Sequence, residues 1–224
     1  MVNSMGYNIA IDGPAGAGKS TIAKRAAKAL GFIYVDTGAM YRAMALFLLR
    51  QGIDPGESEK ISEKCEEAEI TIRYENGEQV VLLNGENVNA LIRTEEVSNM
   101  ASGSSANPQV RKKLVRLQQE LAAREDVVMD GRDIGTCVLP DAAVKVYLTA
   151  SVAVRAGRRY EELTAKGEVC SLSEIERDIE ERDRRDMTRE ISPLRQAEDA
   201  VLIDSSDMSI GEVVDAVIGL CVWK

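Results

Sequence analysis

The chain has 224 residues, of which 45% are hydrophobic and 29% are charged, and its net charge is −9. This size and composition are typical of a globular protein with one substantial core. No apolar run approaches the ~20 residues of a membrane-spanning helix, and the negative charge argues against a general nucleic-acid-binding protein. The chain has no histidine, which excludes a histidine base, and its four cysteines lack metal-binding spacing.

The segment before Tyr7 is short and has no basic cluster that would indicate a signal peptide. Scattered cysteines without a secretion signal are typical of the reducing cytoplasm. We therefore expect a cytoplasmic protein that binds neither nucleic acid nor membranes, and separately we expect a monomer.

The first elements in the chain are a strand-like run at Asn8–Asp12 and a helical pattern over Thr21–Leu30. Between them, G-P-A-G-A-G-K-S from Gly13 fits the phosphate-loop pattern G-x-x-x-x-G-K-[ST]. In such a loop backbone N–H groups surround a phosphate, Lys19 neutralises the outer phosphates, and the Ser20 hydroxyl ligates Mg²⁺. The alternative, a flexible Gly/Ala turn, is disfavoured by the flanking elements and the Lys-Ser pair. The motif predicts a protein that binds a nucleoside triphosphate.

Strand and helix patterns alternate along most of the remaining chain. The predicted strands are Phe32–Asp36, Val127–Asp130, Ala143–Leu148 and Ala200–Asp204. The predicted helices are Gly38–Arg50, Pro108–Arg124, Val152–Lys166, Ser173–Thr188 and Ile210–Val222. Together with the first strand, this alternation predicts an α/β fold in which a five-stranded parallel sheet is flanked by helices.

One segment departs from this alternation. Ile70–Glu75 and Gln79–Leu83 are strand-like runs joined by Asn76-Gly77, the dipeptide of a tight β-hairpin turn, and Gly85 precedes a third short strand. We assign residues from about 61 to 92 to an antiparallel β insert. The spacing alone does not exclude a surface hairpin that has no functional role.

The motif D-T-G-A-M-Y-R from Asp36 lies where a parallel strand ends and a helix begins. Ligands of such sheets bind outside the carboxyl ends of the strands. Arg42, expected on the first turn of that helix, could hold a phosphate there. A solvent-exposed helix arginine is the alternative.

The motif D-G-R-D-I-G follows the third predicted strand of the parallel sheet. Asp130 ends that strand. An aspartate at this place beside a phosphate loop typically holds Mg²⁺, either directly or through a water molecule. Arg132 and Asp133 come next, and Asp133 could accept a hydrogen bond from an exocyclic amine such as cytosine N4. If uracil occupied that place, its O4 atom and the Asp133 carboxylate would both be acceptors with no proton between them, so the site would discriminate against uracil. A Gly-Arg-Asp surface turn is the alternative.

An arginine-rich stripe falls on the helix predicted over residues 173–188. Arg182, Arg185, Asp186 and Arg189 have the spacing i, i+3, i+4, i+7 that places residues on one helix face, whereas Asp183 falls elsewhere. Three guanidinium groups and a carboxylate would suit a ligand with a phosphate and a sugar. A solvated, salt-bridged helix explains the same pattern equally well.

The preceding helix begins with Arg155, Arg158 and Arg159, and a short connection near Gly167 leads from it to the arginine stripe. Two arginine-bearing helices joined in this way predict a lid that closes over phosphates and excludes water.

These segments together resemble bacterial cytidylate kinases, members of the nucleoside monophosphate kinase family of P-loop proteins. The resemblance covers nearly the whole chain, from about Tyr7 to Val222. Four motifs carry it: the phosphate loop at Gly13, D-T-G-A-M-Y-R at Asp36, D-G-R-D-I-G-T at Asp130 and R-D-R-R-D-M-T-R at Arg182. The first motif is generic, whereas the other three, in this order and spacing, are specific.

The resemblance implies a single P-loop kinase unit over residues 1–224, whose core comprises residues 7–36, 94–150 and 191–222. It places the region that binds the nucleoside monophosphate (NMP) at residues 37–93, including the β insert, and a helical lid at about 155–190. The implied reaction is phosphorylation of CMP and dCMP by ATP, with Mg²⁺ as cofactor, giving CDP and dCDP.

The resemblance also implies residue roles. ATP would be bound by Gly13, Pro14, Ala15, Gly16, Ala17, Gly18, Lys19, Ser20 and Thr21. CMP would be bound by Thr37, Tyr41, Arg42, Ser102, Arg111, Arg132, Asp133, Arg182, Asp186 and Arg189. Within that set, the residues that contact cytosine would be Ser102, Arg111 and Asp133. The phosphate would be bound by Arg42, Arg132 and Arg189, and the pentose by Arg182 and Asp186. The catalytic residues would be Lys19, Arg132, Arg155, Arg159 and Arg185, with Mg²⁺ held by Ser20 and by Asp130 directly or through water.

Two other functions are compatible with the phosphate loop. A kinase for another small acceptor, such as a sugar acid or a coenzyme precursor, would not account for the arginine stripe together with Asp133. A nucleotide-gated switch without turnover would position a water for hydrolysis and would need a partner surface.

Overall fold

A computed structural model describes residues 6–75 and 77–221 of the chain. The chain divides into two compact units, the first formed by residues 33–126 and the second by residues 7–32 and 127–221. Among the described residues, no helix combines the length and the apolar character that crossing a membrane requires.

The strands and helices alternate in chain order, as predicted. The strands are β1 (Asn8–Asp12), β2 (Ile33–Asp36), β3 (Ile70–Glu75), β4 (Glu78–Leu83), β5 (Glu86–Asn87), β6 (Val127–Gly131), β7 (Val144–Thr149) and β8 (Val201–Asp204). The helices are α1 (Lys19–Leu30), α2 (Thr37–Arg50), α3 (Ser58–Lys64), α4 (Glu95–Ser104), α5 (Pro108–Ala122), α6 (Val152–Ala165), α7 (Leu172–Thr188) and α8 (Ile210–Gly219).

The strands form two sheets. Five of them form a parallel sheet in the order β2-β6-β1-β7-β8, which confirms the predicted α/β fold. The other three form an antiparallel sheet in the order β3-β4-β5, within the range predicted for the insert. Asn76 of the predicted hairpin turn lies outside the described residues, and Gly77 has a φ of +79°, in the left-handed region that favours glycine.

The second unit is built around the apolar strands β1, β6 and β7. Ile9, Ile11, Met129 and Leu148 are fully buried on these strands, as expected for a parallel sheet covered on both faces. Helix α1 buries Ile22 and other residues at helical spacing, and Gly31 ends it in the left-handed conformation. The phosphate loop follows β1, and the motif D-G-R-D-I-G lies at the carboxyl end of β6.

The first unit has its own apolar core, to which helices α2, α4 and α5 and the antiparallel sheet contribute. Its large, fully buried side chains include Met40, Met44, Leu48, Ile61, Leu83, Ile92, Met100 and Leu114. The antiparallel sheet is therefore packed through Leu83 and its neighbours into a core shared with α2, and is not an isolated surface hairpin.

The short helices α3 and α4 were not predicted. In α4, Gly103 and several serines are weak helix formers, so tertiary contacts and capping decide its conformation. The Thr94 hydroxyl accepts the N–H of Val97, and a side chain at Gly103 would lie 2.6 Å from Pro55 Cβ. Helices α5 and α8 also end earlier than predicted, at Ala122 and Gly219, and the predicted end of α8 lies outside the described residues.

One buried polar side chain in the first unit has no hydrogen-bond partner. Gln118 on α5 is 1% exposed, and neither its Oε1 nor its Nε2 has a partner within the described residues. A buried amide that makes no hydrogen bond costs roughly 1–3 kcal/mol in desolvation.

We expect Gln118→Met to raise the free energy of unfolding by about 1 kcal/mol, because it replaces this amide with an apolar side chain of similar size. Urea unfolding of the two proteins measures the difference. Gln119→Met, at the neighbouring exposed position, is the matched control and should change stability by less than about 0.5 kcal/mol. A loss of stability in Gln118→Met would show that the amide is needed where it lies.

Candidate active site

The phosphate loop connects β1 to α1, and its glycines allow the backbone to turn. Gly13 has a φ of +149°, and a Cβ atom there would lie 1.9 Å from the carbonyl oxygen of Leu148, so only glycine fits. Gly18 also has a positive φ, at +88°, and immediately precedes the first residue of α1. The loop thus leads into a helix N-terminus, where backbone N–H groups and the helix dipole favour an anion.

Lys19, the first residue of α1, is only 6% exposed, and its Nζ donates a hydrogen bond to the carbonyl of Pro14 at 2.7 Å. Burial lowers the pKa of the Lys19 ammonium well below its ordinary value, and the positive charge of Arg132 acts in the same direction. The carboxylates of Asp130 and Asp12 oppose this shift. Lys19 is therefore held against the phosphate loop among groups of both signs.

Ser20 and Asp130, the two predicted metal ligands, lie together. The Ser20 hydroxyl donates a hydrogen bond to Oδ2 of Asp130 at 2.9 Å. One hydroxyl and one carboxylate oxygen beside a phosphate loop fit Mg²⁺, which prefers oxygen ligands and takes the remainder from water and substrate phosphates. No group of three or more acidic, cysteine or histidine side chains suited to a metal occurs among the described residues.

Asp12, the last residue of β1, is buried and holds the backbone that follows β6. Its Oδ1 accepts the N–H of Ile134 and its Oδ2 accepts the N–H of Gly135, each at 2.7 Å. Burial raises the pKa of Asp12 to about 6, despite these two hydrogen bonds, which stabilise the ionised form. Asp12 was not among the predicted site residues, although it ends β1 much as Asp130 lies next to the end of β6.

Arg132 and Asp186, both predicted CMP-binding residues, form a partly buried ion pair in which Arg132 Nε and Asp186 Oδ2 are 2.8 Å apart. Burial would raise the pKa of Asp186, but the guanidinium groups of Arg132, Arg182 and Arg189 outweigh it and keep that pKa below its ordinary value. The structure therefore gathers three of the predicted arginines around one carboxylate, and Asp186 is ionised at neutral pH.

Asp133 and Arg189 also lie on the same side of the second unit. Arg189 Nη2 is 3.8 Å from Asp133 Oδ1, and Arg189 Nε donates a hydrogen bond to the carbonyl of Ser192 at 2.6 Å. Helix α7 ends at Thr188, so Arg189 follows the helix in an extended conformation instead of continuing its face. The predicted stripe is thus correct for Arg182 and Asp186, whereas Arg189 reaches the same cluster from the chain after the helix.

Arg155, predicted as a lid arginine, is 4% exposed and contacts protein groups through Nε and Nη1. Its Nη1 donates to the carbonyl of Ala15 in the phosphate loop at 2.9 Å and lies 2.7 Å from Oδ2 of Asp183 on α7. Its Nε donates to the carbonyl of Ala150 at 2.9 Å. Arg155 therefore ties α6 and α7 to the phosphate loop, through an aspartate that the sequence analysis did not single out.

The other two predicted catalytic arginines lie at the surface. Arg159 is exposed and forms an ion pair with Glu162 at 2.9 Å on the same helix. Arg185 is exposed on α7, and its side chain makes no hydrogen bond or ion pair within the described part of the chain. Their catalytic roles stay predictions.

In the first unit, Asp36 organises the start of α2. Its Oδ1 accepts the N–H of Ala39 at 2.8 Å as a helix cap, and its Oδ2 pairs with Arg42 Nη2 at 3.1 Å. Because α2 begins at Thr37, Arg42 lies in its second turn, and the expectation of the first turn was wrong. The two residues are partly buried as a pair, so Arg42 is not the solvent-exposed arginine of the alternative interpretation.

Gln79 of β4 joins the antiparallel sheet to this same point. Its Oε1 accepts the N–H of Asp36 at 2.8 Å, and its Nε2 donates to the carbonyl of Asp36 at 3.2 Å. Asn89 in turn donates a hydrogen bond to the carbonyl of Gln79 at 2.8 Å. The insert is therefore hydrogen-bonded to the residue that caps α2, which no periodic pattern in the sequence indicates.

The remaining predicted CMP-binding residues of the first unit lie on three helices. Thr37 and Tyr41 are on α2, Ser102 is on α4, and Arg111 is on α5. The guanidinium carbon of Arg111, a buried residue, lies 5.8 Å from the centre of the Tyr41 ring, a cation–π contact. Thr37 is buried at the first position of α2.

Comparison with known proteins shows the family to which the chain belongs. The family model described as "Cytidylate kinase" matches residues 9–222. A cytidylate kinase from Caldicellulosiruptor saccharolyticus is 53% identical over 213 residues, which cover 95% of this chain and 94% of that protein. A cytidylate kinase from Shouchella clausii is 47% identical over 215 residues, or 96% of each chain.

Among solved structures, an uncharacterized protein from Eubacterium ventriosum aligns with a TM-score of 0.51 over 95% of this chain and 96% of its own. Its sequence identity is 12%, so this likeness concerns the fold alone.

The raised pKa of Asp12 predicts a pH dependence of stability. Because the folded-state pKa of about 6 lies above the ordinary value of 3.8, the folded protein binds this proton more tightly than the unfolded chain does. The contribution of Asp12 is therefore most favourable below pH 4 and is lost as the pH rises through 6.

We expect the stability of the wild type relative to Asp12→Asn to fall by roughly 2.4 kcal/mol between pH 4 and pH 7, since asparagine does not ionise. Urea unfolding of both proteins at several pH values measures this difference, in which the other carboxylates cancel. A difference that stays constant across the range would contradict the raised pKa.

Proposed function

Because the chain belongs to the cytidylate kinase family and is a phosphotransferase that phosphorylates CMP, we propose that its phosphoryl donor is ATP and that it accepts both CMP and dCMP. The products are ADP with CDP or dCDP. The observation that carries this proposal is the gathering, in one unit, of a phosphate loop, the Ser20–Asp130 pair and the Arg132–Asp186 pair.

The phosphate loop supports a triphosphate donor. Its backbone amides and the N-terminus of α1 would bind the β- and γ-phosphates, with Lys19 as the mobile cation. Ser20 and Asp130 would hold Mg²⁺, which when bound neutralises phosphate charge and orients the donor. Protein residues then supply the remaining positive charge.

The transfer needs no general base. A phosphate oxygen of CMP is already ionised near pH 7, so it can attack the γ-phosphorus in line. The new P–O bond forms as the bond between the γ-phosphorus and the β–γ bridging oxygen breaks, and ADP leaves. Lys19, Arg132 and the arginines of α6 and α7 would neutralise charge that builds in the transition state.

The Asp133–Arg189 contact supports recognition of an aminopyrimidine. Asp133 would accept a hydrogen bond from the exocyclic amine of cytosine, and Arg132 and Arg189 would bind the acceptor phosphate. Arg182 and Asp186 would bind the pentose. The other residues proposed to bind CMP are Thr37, Tyr41, Arg42, Ser102 and Arg111.

Residues 155–190 act as the lid in this proposal, with Arg159 and Arg185 supplying charge at the phosphates. The NMP-binding region at 37–93 and the core at 7–36, 94–150 and 191–222 complete the proposed organisation. We further propose that the protein works as a cytoplasmic monomer whose partners are small nucleotides only, with neither nucleic acid nor membrane.

The test of the function is steady-state phosphorylation of CMP, dCMP, UMP and AMP by ATP and Mg²⁺, followed by coupled detection of ADP. We expect CMP and dCMP to be used at least 100-fold more efficiently than AMP, because a purine does not fit a site built for a pyrimidine amine. ADP formation that is independent of any acceptor would favour the nucleotide switch, and preference for a sugar acid would favour another small-molecule kinase.

The role of Asp133 gives a second prediction. Asp133→Ala should lower kcat/KM for CMP by about 10- to 100-fold, because one charge-assisted contact with a base is worth about 1–3 kcal/mol. The dissociation constant of ATP, measured by calorimetry, should stay within threefold. Asp141→Ala, an exposed aspartate in the nearby loop, is the matched control. Equal losses for CMP and ATP in Asp133→Ala would argue against base recognition.

A further inference from the structure

The turn that carries Arg132 and Asp133 is capped by a residue from another strand. After β6, residues Ile134–Val138 form a single turn of π-helix, and Asp133 occupies the position just before it. The residue at that position ordinarily supplies the oxygen that accepts the first free backbone N–H groups of a helical turn. The side chain of Asp133 makes no such bond.

Asp12 supplies the missing acceptors. Its two carboxylate oxygens each accept one N–H of the turn, from Ile134 and Gly135 respectively, both at 2.7 Å. At this length and with an ionised acceptor, these are strong hydrogen bonds. Asp12 is 4% exposed and is fixed at the end of a central strand, so it is a rigid point of attachment.

The close packing around Gly135 agrees with this attachment. A Cβ atom at Gly135 would lie 3.4 Å from Asp12 Oδ2 and 3.2 Å from the Cδ atom of Lys145. Gly135 therefore lies in direct contact with the carboxylate that accepts its backbone N–H. The neighbouring Lys19 ammonium attracts the Asp12 carboxylate, whereas the Asp133 carboxylate repels it.

We propose that Asp12 is a positioning residue that caps the turn in place of Asp133, and so fixes the backbone that carries Arg132 and Asp133. A carboxylate that caps its own turn has its oxygens directed at backbone amides. Here the Asp133 carboxylate lies 3.8 Å from Arg189 Nη2 instead. The consequence for CMP rests on the proposed function, whereas the capping itself does not.

Two measurements on Asp12→Asn test the proposal. An asparagine side chain has one acceptor oxygen, so one of the two amides loses its partner. In the ligand-free protein we expect hydrogen exchange at the Ile134 or Gly135 amide to accelerate at least 10-fold, while amides in the middle of β6 and β7 are unchanged. We expect KM for CMP to rise, or kcat to fall, by about 10-fold, with the dissociation constant of ATP within threefold of wild type.

The ATP measurement separates positioning from damage to the phosphate loop. Removing the Asp12 charge takes a negative group away from Lys19, so ATP binding should be unchanged or tighter. Exchange at wild-type rates at both amides would overturn the capping. Losses of equal size for CMP and ATP would show that Asp12 acts through the phosphate loop and would overturn the positioning role.

Asp141→Asn, which removes an equal charge from an exposed position, is the control for Asp12→Asn. A wild-type protein unable to phosphorylate CMP would refute the proposed function alone, because the exchange measurement judges the capping without turnover.

Discussion

Buried charge is the constraint on which the arrangement of the second unit depends. Asp12, Lys19, Asp130, Arg155 and Asp186 are all buried there, and a charge removed from water costs several kcal/mol unless nearby groups compensate it. The observed pairings provide that compensation. They connect strand ends, the phosphate loop and helix α7, so satisfying the charges also determines where the side chains lie before any substrate binds.

Such an arrangement favours function at the expense of stability. Well-packed apolar residues in the same positions would be as stable or more so, whereas removing one member of a buried pair costs about 3–5 kcal/mol. The raised pKa of Asp12 is a direct sign of this cost. In return, guanidinium and carboxylate groups are already oriented, and little reorganisation is needed when two anionic nucleotides bind.

The sequence predicted the architecture well because the parallel strands are short apolar runs between glycines and helical patterns. It placed Ser20 and Asp130 together because the strand that carries Asp130 ends beside the phosphate loop, whereas the ion pair between Arg132 and Asp186 was not predicted. It missed Asp12, Asp183 and Gln79, whose partners are 28 or more positions away in the chain and are often backbone atoms. No periodic pattern in a sequence indicates a hydrogen bond to a distant peptide group. Helix α4 was missed because its helix propensity is weak, and it is stabilised by the Thr94 cap and by packing against Pro55.

The double hydrogen bond between Gln79 and the backbone of Asp36 limits how the insert can vary during evolution. Side chains alternate between the two faces of a strand, so deleting one residue from β4 would turn Gln79 away and present an apolar neighbour such as Val80 in its place. Changes of length are therefore tolerable at the hairpin tip near Gly77, where the strands are already joined by a turn. Between Gln79 and Leu83 the number of residues is fixed, because the side-chain amide of Gln79 is hydrogen-bonded to Asp36 and Leu83 is packed in the apolar core.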